Sequence, residues 1–174
     1  MTPTLRIRSV ENDADLRCVA ALADIIWREH YAGLIDDAQI EYMLERGYAP
    51  ARLAADVERQ GVHYWLASLN RAAVGFAAAG PDESDPGFWL HKLYVHRDVR
   101  RQGAARGLLR QAESLGRTRG ARNIQLRVNR GNRLAIAVYE KLGFKKNRCH
   151  VKDIGNGFVM DDYLLSKTLN DADD

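Results

Sequence analysis

The sequence predicts a single α/β domain. Three observations carry that prediction. Its 174 residues suit one domain with a substantial core. Short apolar or alternating runs are interleaved with helical patterns rather than segregated from them. Between residues 90 and 115 an apolar strand, a basic link and a glycine-opened amphipathic helix follow one another.

Residues 5–8 alternate and predict a first strand. Asn12 to Asp15 offer caps for a helix whose buried stripe is Leu16, Val19, Ala20, Ala23, Ile26 and Trp27. Asp36 and Asp37 start a second helix through Ile40, Met43 and Leu44, with a stop expected at Gly47. Pro50 opens a third, ended by Gly61. Residues 62–68 and 72–79 predict two strands joined by a short turn. An acidic, proline-bearing loop over 80–87 precedes the strand that carries His91. Strand 123–128, helix 133–142 with Gly143 at its end, and two strands flanking a turn at 153–157 complete a count of about seven strands. The domain is expected over 1–169, with 170–174 an acidic, disordered tail.

Apolar residues make up 46% and charged residues 28% of the chain, ordinary for a globular protein. Arg6, Arg8, Glu11, Asp13 and Asp15 argue against a secretory signal. No apolar run approaches the roughly 18 residues a membrane span needs. Cys18 and Cys149 are expected as free thiols and the cytoplasm as the location, with no membrane partner. The net charge is +3, yet eleven of the twenty arginines fall between Arg97 and Arg133. Such a cluster is one signature of nucleic-acid binding. Here it coincides with a candidate phosphate site and has no interleaved aromatics, so no nucleic-acid partner is expected. His30, His63, His91, His96 and His150 form no zinc-like spacing, so no metal is expected. A Gly-x-Ser-x-Gly elbow is also missing.

The phosphate site is read from the strand over 90–95, the link over 96–102 and the helix opened by Gly103. The first amides of a helix have no partner within it and sit at its positive end. Gly103 has no Cβ to obstruct an anion, Ala105 is nearly as small, and Arg100, Arg101 and Arg106 add charge. A glycine at a helix start also serves as a plain turn. Farther on, Asn132, Ala135 and Tyr139 are spaced three and four, so they share one helix face. The small Ala leaves a groove between two polar groups.

These two elements resemble motifs of the GNAT superfamily of acetyltransferases. R-R-Q-G-A-A is similar to the [QR]-x2-G-x-[GA] signature through Arg100, Gly103 and Ala105. V-N-x2-N-x2-A-x3-Y-x3-G-F is similar to the second motif through Asn129, Asn132, Ala135, Tyr139, Gly143 and Phe144. The resemblance spans roughly residues 5–169. Ala105 stands where Gly is commoner, and Arg97 where many members have Pro.

The resemblance implies a mixed, mainly antiparallel twisted sheet with helices on both faces, and acetyl-CoA as donor. The donor's pyrophosphate would rest on the backbone of Arg101, Gln102, Gly103, Ala104, Ala105 and Arg106. Its pantetheine arm would pair like an extra strand with Leu93, Tyr94 and Val95, while Asn132 and Ala135 line its course. The reaction implied is transfer to a primary amine of a small molecule or peptide by direct attack in a ternary complex. An alkyl amine with a pKa near 10.4 lies about 3.4 units from neutrality, a deficit of roughly 4.6 kcal/mol, so a proton acceptor or a desolvating site is needed.

The family assigns Tyr139 to the departing sulfur. For the base, L-H-x-L-x-V-H over 90–96 resembles the arylalkylamine acetyltransferases and points to His91. Two positions before Leu93 and four before Val95, His91 is expected to share one strand face with them. Trp27, Tyr31, Tyr42 and Tyr48 lie in the helices that cover the acceptor site in this family. Asp161 and Asp162 fall on opposite faces of the last strand, and one of them could meet a cationic amine. Trp27, Tyr31 and Asp161 are the acceptor candidates. A GNAT-fold acyl-CoA-binding regulatory module without turnover stays open, as does a homodimer.

Overall fold

The computed structural model describes residues 4–169; the expected tail at 170–174 lies outside them. The elements are β1 (Leu5–Ser9), α1 (Asp13–Tyr31), α2 (Asp37–Tyr48), α3 (Pro50–Gln60), β2 (His63–Leu69), β3 (Ala72–Gly80) and β4 (Phe88–Val95). A short 3₁₀ turn (Arg97–Val99) leads to α4 (Ala104–Thr118), β5 (Asn123–Asn129), α5 (Arg133–Lys141), β6 (Lys145–Gly155) and β7 (Phe158–Thr168). The seven strands form one sheet in the order β1-β2-β3-β4-β5-β7-β6. Every neighbouring pair is antiparallel except β4 with β5, which is parallel.

Two cores sandwich the sheet. On one face Leu108, Leu109 and Ala112 of α4 and Ile136 of α5 pack against Phe88, Leu90, Ile124, Leu126 and Leu165. On the other, Val19, Ala23 and Ile26 of α1, Leu44 of α2 and Leu53 of α3 pack against Tyr64, Leu66, Phe76 and Ala78. The amphipathic stripes read from spacing are therefore the surfaces that hold the layers together.

Local chemistry sets most element ends. The Asn12 side chain accepts the Asp15 amide at 3.0 Å and starts α1. Gly143 at φ 96° ends α5, with the Phe144 amide donating to the Tyr139 carbonyl at 3.0 Å and Gly143 to Glu140 at 3.0 Å. One expectation fails: α2 runs through Gly47 to Tyr48. It ends because Pro50 drives Ala49 into extended backbone, at ψ 136°.

Two irregularities shape the centre. The parallel β4–β5 ladder pairs only Phe88 with Ile124 and Trp89 with Gln125, after which the strands part. The β3–β4 register slips by one between Ala78 and Ala79, which leaves His91 as a bulge without a Cα partner on β3. No described helix is long and apolar enough to cross a membrane.

Candidate active site

The gap between β4 and β5 opens into a cavity of about 980 Å³. It is bounded by Leu90 to Val95 of β4, the start of α4, one face of α5 and the aromatic residues of α1. Its two ends are built differently.

One end is the start of α4. Gly103 adopts a left-handed φ of 84°, and no side chain caps the helix. Arg101 is also left-handed, at φ 65°. The amides that open α4 are thus left without an intrahelical acceptor. A Cβ added to Gly103 would meet nothing within 4 Å, so the space over this backbone is open. Arg100, Arg101, Gly103, Ala104, Ala105 and Arg106 all line the cavity, whereas Gln102 does not. Leu93, Tyr94 and Val95 line it along the freed edge of β4.

The start of α5 contrasts with that of α4. Asn132 is 4% exposed. Its Oδ1 accepts the Ala135 amide at 3.1 Å, and its Nδ2 meets His30 Nε2 at 2.8 Å. The cavity-lining Asn132 therefore spends its side chain on capping α5 and tying it to α1. Spacing gave no hint of His30, 102 positions away. Burial and then the Arg100 charge lower the His30 pKa, so its ring is neutral at pH 7 and can accept. Ala135 and Tyr139 line the next turns of α5. The Tyr139 ring packs edge-on against Phe144 at 5.7 Å, and burial pushes its phenol up to about 12. At neutral pH it is a hydrogen-bond donor.

The other end is aromatic and carboxylic. Trp27 stacks at 4.3 Å on Tyr31 and lies 5.9 Å from Tyr94. The Tyr31 and Tyr94 hydroxyls are 3.3 Å apart, and Trp27 Nε1 donates to Tyr48 Oη at 3.0 Å. These rings are core and cavity wall at once. Tyr42 is placed elsewhere: its hydroxyl donates to the Ile154 carbonyl at 2.7 Å and steadies the β6–β7 turn.

Alternation does not hold at His91. The bulge breaks the alternation that would group it with Leu93 and Val95, which pack with the α4 core. His91 Nε2 lies 2.9 Å from the Pro81 carbonyl and Nδ1 3.9 Å from Asp82 Oδ2, so both ring nitrogens face the β3–β4 loop. Burial, followed by the Lys92 charge, lowers its pKa. Lys92, beside it, belongs to no motif or spacing that marks it in the sequence. Its ammonium lies 3.7 Å from Asp56 Oδ2 and over the rings of Tyr48 and Tyr64, and burial lowers its pKa too.

The two aspartates of β7 part company. Asp161 is half exposed, pairs with Arg130 at 3.2 Å and stays outside the cavity. Asp162 lines the cavity, is 5% exposed, and its Oδ1 has no hydrogen-bond partner among the described residues. Burial raises its carboxyl to about 6. Which of two adjacent residues faces inward depends on strand register, and composition carries no trace of it. Among the described residues no cluster of His, Cys, Asp and Glu could hold a metal ion.

An uncapped helix start opening into a split parallel strand pair suits a phosphate-bearing donor with a thin arm. Residues 19–144 match the model of the acetyltransferase (GNAT) family. The chain belongs to the GNAT family. GNAT enzymes are acetyl-CoA-dependent, and the mixed seven-stranded sheet is the fold of this family.

One relative is the spermidine N(1)-acetyltransferase of Thermoplasma acidophilum, 26% identical over 172 residues that cover 92% of this chain and 97% of that one. Another is a probable N-acetyltransferase, camello, of Xenopus laevis. It is 34% identical over 85 residues, 48% of this chain but only 39% of the length of that protein. Among solved structures, the PaiA N-acetyltransferase of Thermoplasma acidophilum in complex with coenzyme A has a TM-score of 0.76. It is 22% identical and covers 95% of this chain and 99% of that chain.

Proposed function

We propose that this GNAT protein moves the acetyl group of acetyl-CoA to a primary amine of a small molecule or peptide by direct attack in a ternary complex. One observation carries the reading: a single continuous cavity joins the uncapped start of α4 to the aromatic and carboxylic end beneath α1. A donor and an acceptor can therefore meet without a covalent relay on the protein.

The donor's pyrophosphate would sit on the amides that open α4, with Arg100, Arg101 and Arg106 beside it. Its arm would run along the edge of β4 at Leu93 to Val95, where the parting from β5 leaves ladder groups for it to pair with. Ala135 keeps the α5 wall low. The thioester would then lie near Tyr139. A phenol raised to about 12 is a poor acid for a thiol whose pKa lies near 8.5, so Tyr139 serves by a hydrogen bond that tightens as the sulfur gains charge. The acceptor would enter against Trp27 and Tyr31. The likeness to a spermidine acetyltransferase puts small aliphatic polyamines first among acceptors to try.

The test is thiol release from acetyl-CoA over a panel of spermidine, short monoamines, arylalkylamines and peptides with free N-termini. Turnover with at least one amine at saturating donor is expected. Tight coenzyme A binding without turnover on any of them would instead mark a regulatory acyl-CoA module.

A further inference from the structure

We propose that Asp162 receives the acceptor as an ammonium ion and takes its proton, which makes the acceptor a primary amine that is charged in solution. The proposal rests on the acetyl-transfer reading above and adds the group that prepares the nucleophile.

The carboxylate stands out by what it lacks. Among the described residues the other buried carboxylates each face a cation: Asp15 meets Arg8, Asp56 meets Arg52 and Lys92, and Glu113 meets Lys167. Asp162 is as buried as they are, and its Oδ1 has no partner. An unpaired buried carboxylate is costly in its ionised form, and that form is favoured when a cation comes to lie beside it.

The surrounding groups do not supply it. Arg127 on β5 is the cation whose charge lowers the Asp162 carboxyl, but its two terminal nitrogens are held by Asp82 at 3.0 Å and by Asp85 while it stacks on Trp89, and only its buried Nε has no partner. Asp161, next in the chain, adds a like charge and is engaged with Arg130. From β6, His150 lies directly across the ladder from Asp162, and its buried Nε2 is also without a partner. From α1, the Tyr31 phenol feels the Asp162 charge. From α2, Gln39 donates to the Val159 carbonyl and to Met160 Sδ rather than to the carboxylate. An ammonium entering beside the faces of Tyr31 and Trp27 would find aromatic walls and, in the cavity lining, a buried carboxylate whose Oδ1 has no partner.

The step balances without a further reactant. The ammonium gives one proton to Asp162, and the freed lone pair forms the C–N bond at the thioester carbonyl carbon as the C–S bond breaks. The nitrogen's second proton leaves as the amide forms and ends on the thiolate, which departs as the neutral thiol beside Tyr139. Asp162 then returns its proton to solvent. His91 is less suited to this work because both its nitrogens face Pro81 and Asp82.

The experiment compares wild type, Asp162→Asn and His91→Gln by thiol release from pH 5 to 10. Spermidine and butylamine serve as charged acceptors, and aniline as one uncharged at neutral pH. Coenzyme A affinity by calorimetry checks that each variant is folded. With the charged amines, Asp162→Asn should lose about 10²-fold or more in kcat/KM at pH 7. Its acidic limb near pH 6 should vanish, and the deficit should shrink toward pH 10, where free amine is present unaided. With aniline the loss should be under about 10-fold, because no proton need be removed before attack. His91→Gln should keep the acidic limb. An active wild type with an unaltered Asp162→Asn profile, or a limb lost in His91→Gln instead, would overturn this assignment alone. A wild type that binds coenzyme A and releases no thiol with any amine would overturn the transfer reading along with it.

Discussion

The two ends of the central cavity are made by different means. The end proposed for the donor is backbone: a left-handed Gly103, uncapped amides at the start of α4 and a strand edge freed where β4 leaves β5. The end proposed for the acceptor is side chain, assembled from Trp27 and Tyr31 on α1, Tyr94 on β4 and Asp162 on β7. A backbone site tolerates changes in most neighbouring side chains and fails where a Cβ intrudes. A side-chain site depends on single groups. The two helix starts repeat the lesson, since α5 is closed by its own Asn132 and α4 is open.

Substitutions at the two ends should therefore separate cleanly. The largest effect is expected at Tyr139, where Phe keeps the ring packing and removes the hydroxyl. Turnover should fall by about 10²- to 10³-fold, with coenzyme A affinity changed less than about threefold. Equal turnover in a steady-state assay would remove the phenol from the chemistry. At the donor end, Gly103→Val should weaken coenzyme A binding by about 10²-fold in calorimetry. The new Cβ meets no protein atom within 4 Å but projects where the phosphate would lie, and a left-handed backbone adds about 1–2 kcal/mol of strain. Unchanged affinity in a folded variant would close the donor end as a site.

Asp162→Asn should move stability the other way. The carboxyl, raised from 3.8 to about 6, destabilises the fold once it ionises: the penalty is absent below pH 3.8 and complete above pH 6. Its removal at pH 7 should contribute on the order of 2–3 kcal/mol and raise Tm by roughly 4–10 °C. At pH 4 the gain should vanish, and a Tm gain independent of pH would argue against a strained carboxylate. The smallest effect belongs to Asp161→Asn. Its exposed pair with Arg130 is worth about 0–1 kcal/mol, and kcat/KM should stay within twofold.

What the sequence made legible follows the same division. Gly103, the arginines around it and the Asn132–Ala135–Tyr139 face are local patterns, and spacing alone places them. So are the amphipathic stripes behind both cores. The end of α2 lies past Gly47 because a helix can carry a glycine, while the restraint that stops it comes from Pro50. Alternation does not carry through His91 because a bulge shifts the pattern by one, and nothing between residues 88 and 95 announces it. The tie between His30 and Asn132, the inward turn of Asp162 and the burial of Lys92 arise only when distant segments meet.

The most direct test follows the backbone amides of an isotope-labelled sample by NMR during titration with coenzyme A. If the donor rests on bare peptide groups, the signals of Gly103, Ala104, Ala105 and Arg106 should show the largest downfield shifts in the protein and saturate together. Saturated binding that leaves those four signals in place, with the shifts concentrated elsewhere, would contradict it.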